Sequence, residues 1–286
     1  MQPMRAFDWR ADLRYETLLV HMIVGRSNGA VLKVATELAK LLGARTIGIA
    51  ACHPVPMMSG PGYVDGAVIG VLQEQLDKEI GAAEVEYREA LLSSKAPLEW
   101  RSSNTLSPSP DFLAREARCA DLIISSALPT DRFDSMQHVN IGDLIMHAGR
   151  PVLVVPHAGV HLPFEQVVVA WKDTRESRRA VCDALPLLRA AKHVTVVEIA
   201  AADDVASAMT RVTDVATWLE SHSIKATPLA LPAAGSDASC LDSFLDKHNA
   251  DLVVAGAYGH SRFREWAFGG VTDSLLRTGR CALLSH

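Results

Sequence analysis

The residues best suited to chemistry in this chain are glycines. They form the run Gly256-Ala-Tyr-Gly259-His-Ser-Arg-Phe-Arg-Glu-Trp-Ala-Phe-Gly269-Gly270-Val271-Thr272, with the spacing G-x2-G-x9-G. Glycines at positions 256 and 259 let the backbone turn and come close to a ligand. Gly269 and Gly270 open a helix whose free amides and positive dipole end suit an anion such as phosphate. Val271 and Thr272 lie in its first turn, and Thr272 adds a hydroxyl. The plainer reading is that these glycines only serve turns and helix caps.

Other residues near this run have chemistry to offer. Lys172 reads either as a phosphate partner or as a surface lysine paired with Asp173 or a neighbouring carboxylate. His260 is a candidate base, but no serine or cysteine nucleophile accompanies it in an identifiable motif, which favours a solvated loop. Arg262 and Arg264 are placed to fold over a triphosphate. Arg262 has a counterpart in Arg132, however, which favours a structural role for it. Trp266 and Phe268 read as loop anchors, interface residues or a ligand cover. No H-x3-H or H-E-x-x-H spacing supports a metal site, and no catalytic constellation is identifiable, so an enzyme is not expected. Gly25 to Gly29 reads as a plain strand-to-helix turn.

The element that must position the glycine run occurs twice. Asp121-Leu-Ile-Ile-Ser-Ser-Ala127 matches Asp251-Leu-Val-Val-Ala-Gly-Ala257 at an offset of 130, and the match runs ungapped to His286 with nine identities over 36 positions. Earlier, Thr17-Leu-Leu-Val20 resembles Gln166-Val-Val-Val169, and Ile47-Gly-Ile-Ala50 resembles Val197-Glu-Ile-Ala200, at an offset near 150. The chain is a duplication. The first copy carries about twenty extra residues, placed in the Met-, Pro- and Gly-rich stretch 53–66 and read as an insert or a lid.

Apolar periodicity fills in the rest. Strands are expected at Thr17–Val24, Arg45–Ala51, Leu98–Ser103, Asp121–Ala127 and Pro151–Pro156, and again at Val167–Trp171, His193–Ile199, Ala226–Leu231, Asp251–Ala257 and Cys281–Leu284. Helices are expected at Ala30–Leu42, Val68–Leu92 and Asp111–Ala120, then at Glu176–Ala191, Val205–His222, Ala238–His248 and Val271–Arg277. This alternation predicts two tandem Rossmann-like α/β domains, residues 1–157 and 164–286. Each would be a five-stranded parallel open sheet with helices on both faces. A ligand would bind where the strand order reverses.

The composition excludes some classes of function. Hydrophobic residues make up 49% and charged ones 21%, with a net charge of −5. No basic run offers a nucleic-acid surface. No apolar stretch approaches a membrane span, and Met1 to Tyr15 lacks the apolar core of a signal peptide. Five scattered cysteines without CxxC spacing fit free thiols in a cytoplasmic protein.

With these residues in place, the chain resembles the universal stress protein family, as a tandem of two such domains. The resemblance implies ATP or a related adenine nucleotide as ligand, with Mg²⁺ accompanying ATP, and a stress-linked regulatory role. It also implies that the two domains pair with each other about a pseudo-two-fold axis near their last strands, and allows a homodimer. Ile199 matches an apolar residue that packs on adenine, and Thr272 matches a hydroxyl position. The departures are at Trp171-Lys172, where Lys172 stands in place of an adenine-recognising Asp, and at Gly270, where Ser or Thr is usual. In the first copy, Ser126, Pro129, Val139 and Asn140 replace the four glycines, so nucleotide is expected only in the second. The alternatives are a non-nucleotide-binding interaction module and, less favoured, a weak ATP hydrolase.

Overall fold

The computed structural model describes residues 14–52, 66–104, 109–126, 139–259 and 270–286. The stretch 53–65, His260, Arg262, Arg264, Trp266, Phe268, Gly269 and Pro129 lie outside the described residues.

In the first half the strands are β1 (Thr17–His21), β2 (Arg45–Cys52), β3 (Leu98–Asn104), β4 (Leu122–Ser126) and β5 (Val152–Val155). Helices α1 (Gly29–Leu42), α2 (Gly66–Leu91), α3 (Ser109–Glu116) and α4 (Ile141–Ala148) lie between them. In the second half come β6 (Gln166–Ala170), α5 (Arg175–Ala190), β7 (His193–Ala200), α6 (Val205–Ser221) and β8 (Ala226–Pro232). They are followed by α7 (Asp237–Lys247), β9 (Leu252–Gly256), α8 (Val271–Arg277) and β10 (Ala282–Ser285).

Local chemistry accounts for where the helices start and stop. In α1 the buried residues Val31, Leu32, Val34, Ala35, Leu38 and Ala39 follow helical spacing, and Gly43 ends the helix at φ 68°. The Asn140 side chain accepts from the Asp143 amide to start α4, and Gly149 closes it at φ 60°. Thr174 accepts from Ser177 to start α5, and Ser236 accepts from Ser239 to start α7. The inner strands β1, β4 and β5 are short and wholly buried, as parallel strands covered on both faces must be, whereas the edge strands β3 and β8 are partly exposed.

Each half has five parallel strands, in the order β3-β2-β1-β4-β5 and β10-β9-β6-β7-β8. The halves do not form separate sheets: β5 pairs antiparallel with β10, so ten strands make one continuous sheet. Helices cover both faces. One face carries the core of α1, α2, α5 and α6, including Leu38, Tyr87, Ala184 and Val212. The other carries Leu113, Leu144, Leu245 and Leu275 from α3, α4, α7 and α8. Helix α4 was not among the expected elements.

One acid in each half fixes the register of the sheet. Asp121 Oδ2 accepts from the Glu16 and Thr17 amides, each at 2.9 Å. The repeat-equivalent Asp251 accepts from Glu165 at 2.6 Å and Gln166 at 3.0 Å. The shared Asp-Leu motif therefore ties the start of β4 to the start of β1, and that of β9 to that of β6.

Candidate functional site

The strand order of the second half reverses between β9 and β6, and the crevice lies at their carboxyl ends. Ala170 pairs with Ala255 there, and Trp171 continues β6 by donating its amide to Val197 at 2.8 Å. The ends of β6, β7 and β9 thus bring Trp171, Lys172, Ile199 and the Gly256–Gly259 turn to one edge of the sheet.

The two glycines of that turn have different causes. Gly256 is the last residue of β9, and a Cβ on it would come 2.5 Å from the Ser177 amide nitrogen and 2.7 Å from the Glu176 carbonyl carbon. Backbone cannot yield there, so this glycine exists because α5 packs directly onto the strand end. Gly259 has room by comparison. A Cβ on it would lie 3.1 Å from Glu176 Oε2 and 3.5 Å from Thr174 Oγ1. Its φ lies outside the left-handed region. Gly259 therefore arches over the first turn of α5.

Glu176 gives that arch its charge. It is only 4% exposed and accepts from Arg175. Burial pushes its carboxyl up, but the Arg175 guanidinium, its own backbone amide and Thr174 together hold it below its ordinary value. A buried carboxylate thus stands beside Gly259. The sequence reading did not single it out. Its signal was an acid on the apolar spacing of Glu176, Ala180, Ala184 and Leu187.

The remaining site residues divide between the two faces. Ile199 and Val271 pack on the face of α7 and α8. Trp171 packs on the opposite face, with its Nε1 buried and without a hydrogen-bond partner among the described residues. Gly270 is the extended residue before α8, and no atom of the described residues would lie within 4 Å of a Cβ on it. Thr272 is buried in the first turn. Lys172 pairs with Asp237 at 3.2 Å on the surface, while Asp173 pairs with Arg178. The carboxylate beside Lys172 is thus Asp237 rather than Asp173.

The corresponding edge of the first half is closed upon itself. Val139 is buried in the core, and the Asn140 side chain occupies the N-terminus of α4. Asn28 folds the Gly25–Gly29 turn inward, accepting from the Ile23 amide at 2.8 Å and donating to the Arg26 carbonyl at 3.0 Å. His21 and Ser125 replace the Ala170–Ala255 pair, and their side chains bond at 2.8 Å. Among the described residues there is no group of three or more His, Cys, Asp or Glu placed to hold a metal ion. No described helix is long and apolar enough to cross a membrane.

No protein-family model matches the sequence, and no curated protein matches it. Solved structures do match. A universal stress protein from Archaeoglobus fulgidus aligns with a TM-score of 0.71 at 12% identity, covering 94% of this chain and 95% of its own. A protein from Pseudomonas aeruginosa, provisionally described as a universal stress protein, gives 0.60 at 15% identity, covering 95% and 93%. A protein of unknown function from Pseudomonas aeruginosa PAO1 gives 0.58 at 14% identity, covering 95% and 92%. The chain has the fold of the universal stress proteins over nearly its whole length.

Proposed function

We propose that this chain is a cytoplasmic regulatory protein of the universal stress type, whose second domain (164–286) binds an adenine nucleotide. The first domain (1–157) is its pseudo-dimeric partner. The observation that carries this reading is that Ile199 and Val271 pack on one face of the sheet, with the Gly256–Gly259 turn at the carboxyl end of the adjoining strand β9. That strand and β6 flank the reversal of strand order, where open α/β sheets bind ligands.

The residues fit the two parts of a nucleotide unequally. On the phosphate side, no described atom crowds Gly270, and Thr272 offers its hydroxyl in the first turn of α8. On the base side, Ile199 supplies an apolar contact, but Lys172 is held by Asp237 where an acid would read adenine. Glu176 keeps negative charge beside Gly259. The phosphates therefore belong at the Gly270 end, with Mg²⁺ accompanying ATP.

Calorimetric titration of the full chain with ATP, with and without Mg²⁺, tests the reading, together with denaturing extraction of any co-purified nucleotide. Saturable binding that Gly259→Val weakens supports it. No heat at millimolar ATP would sink it. The second reading is an interaction module of the same fold without nucleotide. It is favoured by Gly256, whose lack of a side chain the packing of α5 already explains. Light scattering at several concentrations would report whether the chain forms the homodimer that the resemblance allows.

A further inference from the structure

Helix α4 belongs to the first half, yet both of its ends are held by the second. At its start, Tyr258 reaches across from the glycine turn. Its hydroxyl lies so near Gly142 that a Cβ on Gly142 would be 2.5 Å from it. At its end, the Arg179 guanidinium donates to the Gly149 carbonyl, which caps the helix. Charge-assisted bonds of this kind, at the negative end of a helix dipole, are among the stronger ones.

Both residues also lie close in sequence to the backbone that lines the crevice. Tyr258 stands between Gly256 and Gly259. Arg179 follows Ser177, whose amide nitrogen is the backbone atom nearest the Gly256 strand end. Tyr258 has φ 56°, in the left-handed region that a bulky side chain rarely adopts. That conformation is disfavoured for a side chain of this size, and the contact with α4 is one of the features that hold the turn in it. Burial, followed by Asp143 of α4 and Asp273 of α8, raises the Tyr258 phenol above its ordinary value. The ring, itself 39% exposed, thus lies against α4 and within electrostatic reach of α8.

The arrangement is one-sided. By the offset that aligns Thr17 with Gln166, Ala30 occupies the place of Arg179 in the first half and has no group to donate.

We propose that α4 reads the state of the second half's crevice, with Tyr258 and Arg179 transmitting a change at the 256–259 turn to the two ends of that helix. This rests on the nucleotide reading for the identity of the ligand, but not for the mechanical link. A ligand that favours one state of the turn shifts α4 by its differential affinity for the two states. The degenerate half then reports a site that it does not itself contain.

Hydrogen–deuterium exchange on the full chain tests this, with ATP and Mg²⁺ as the probe and Tyr258→Gly and Arg179→Ala as variants. Without nucleotide, each variant should speed exchange in the peptide spanning 139–149 by about fivefold or more, leaving α1 and α6 unchanged. Unchanged α4 exchange in both variants would overturn the proposal. With nucleotide, the wild-type chain should gain protection at both 252–259 and 139–149, and Tyr258→Gly should keep only the first. Protection at 252–259 alone in the wild type overturns the coupling while leaving binding intact. Protection at neither place defeats the nucleotide reading, and the ligand-free comparison then decides the link.

Discussion

Leu153 and Leu283 face each other across the junction of the two halves, and they are the same residue of the repeat. They pair in antiparallel register on β5 and β10, flanked by Ala282 with Val154 and Leu284 with Val152. The register is symmetric about this pair: Ala282, the counterpart of Val152, meets Val154, and Leu284, the counterpart of Val154, meets Val152. Both side chains are fully buried on the face shared by α1 and α5.

Truncating either leucine should cost similar stability. Leu153→Ala and Leu283→Ala are each expected to lose about 2–5 kcal/mol, from the lost methyl groups and the cavity left behind. The double variant should depart from additivity, because the residues are neighbours. Urea unfolding of the three variants measures this, and strict additivity would mean that the two halves are energetically separate at this strand pair.

The register acids should differ in how they tolerate amidation. Asp121 accepts both amides on one oxygen, whereas Asp251 uses one oxygen for each. Asparagine keeps a single acceptor, so Asp121→Asn should be milder than Asp251→Asn. Alanine at either position should cost about 1–3 kcal/mol by leaving amides unpaired. Chemical denaturation gives the order, and equal effects of the two asparagines would contradict the geometry.

The two glycines of the turn should separate packing from binding. Gly256→Ala forces a Cβ into the backbone of α5 and should cost about 1–3 kcal/mol, as overpacking does. Gly259→Ala needs only a few tenths of an ångström from the Glu176 carboxylate, so its melting temperature should stay close to the parent's. A Gly256→Ala protein as stable as the parent would remove the packing explanation for that glycine.

Two acids, the half-buried Asp183 and the buried Glu176, should give opposite pH signatures. Burial raises Asp183 above its ordinary value despite its bond from Ser285 and the nearby Arg179 and Arg150. Its folded form binds the proton more tightly, so its contribution is present at low pH and is lost as pH rises through the folded pKa. Glu176 is held below its ordinary value, so its contribution is present above the unfolded pKa and lost as pH falls. Relative to the parent, Asp183→Asn should therefore gain stability as pH rises through the carboxylate range, and Glu176→Gln should lose it. Denaturation curves across that range, with both differences running the same way, would contradict this assignment.

Much of the fold was legible because it rests on local rules. The periodicity of Val31, Leu32, Ala35 and Leu38 marks α1 without knowledge of any partner, and Gly43 marks its end. Val271–Arg277 was placed to the residue. Yet its repeat counterpart α4 was missed, although the same 130-residue offset points to Ile141 onward. The glycine run was legible as a motif, but the reason for each glycine was not. Gly256 answers to Ser177 and Gly259 to the first turn of α5, residues about eighty positions away in the chain.

Taken alone, the sequence determined the duplication, the alternation of strand and helix, and the loss of the glycines from the first copy. Those are properties of residue type and spacing, which the chain carries before it folds. Only the tertiary structure decided that β5 and β10 join the halves into one sheet, that Trp171 and Ile199 face opposite sides of it, and that Lys172 belongs to Asp237. It also decided that Tyr258 and Arg179 hold the two ends of α4. Each of these depends on which distant surfaces meet, and burial energy settles that over the whole molecule rather than within any one segment.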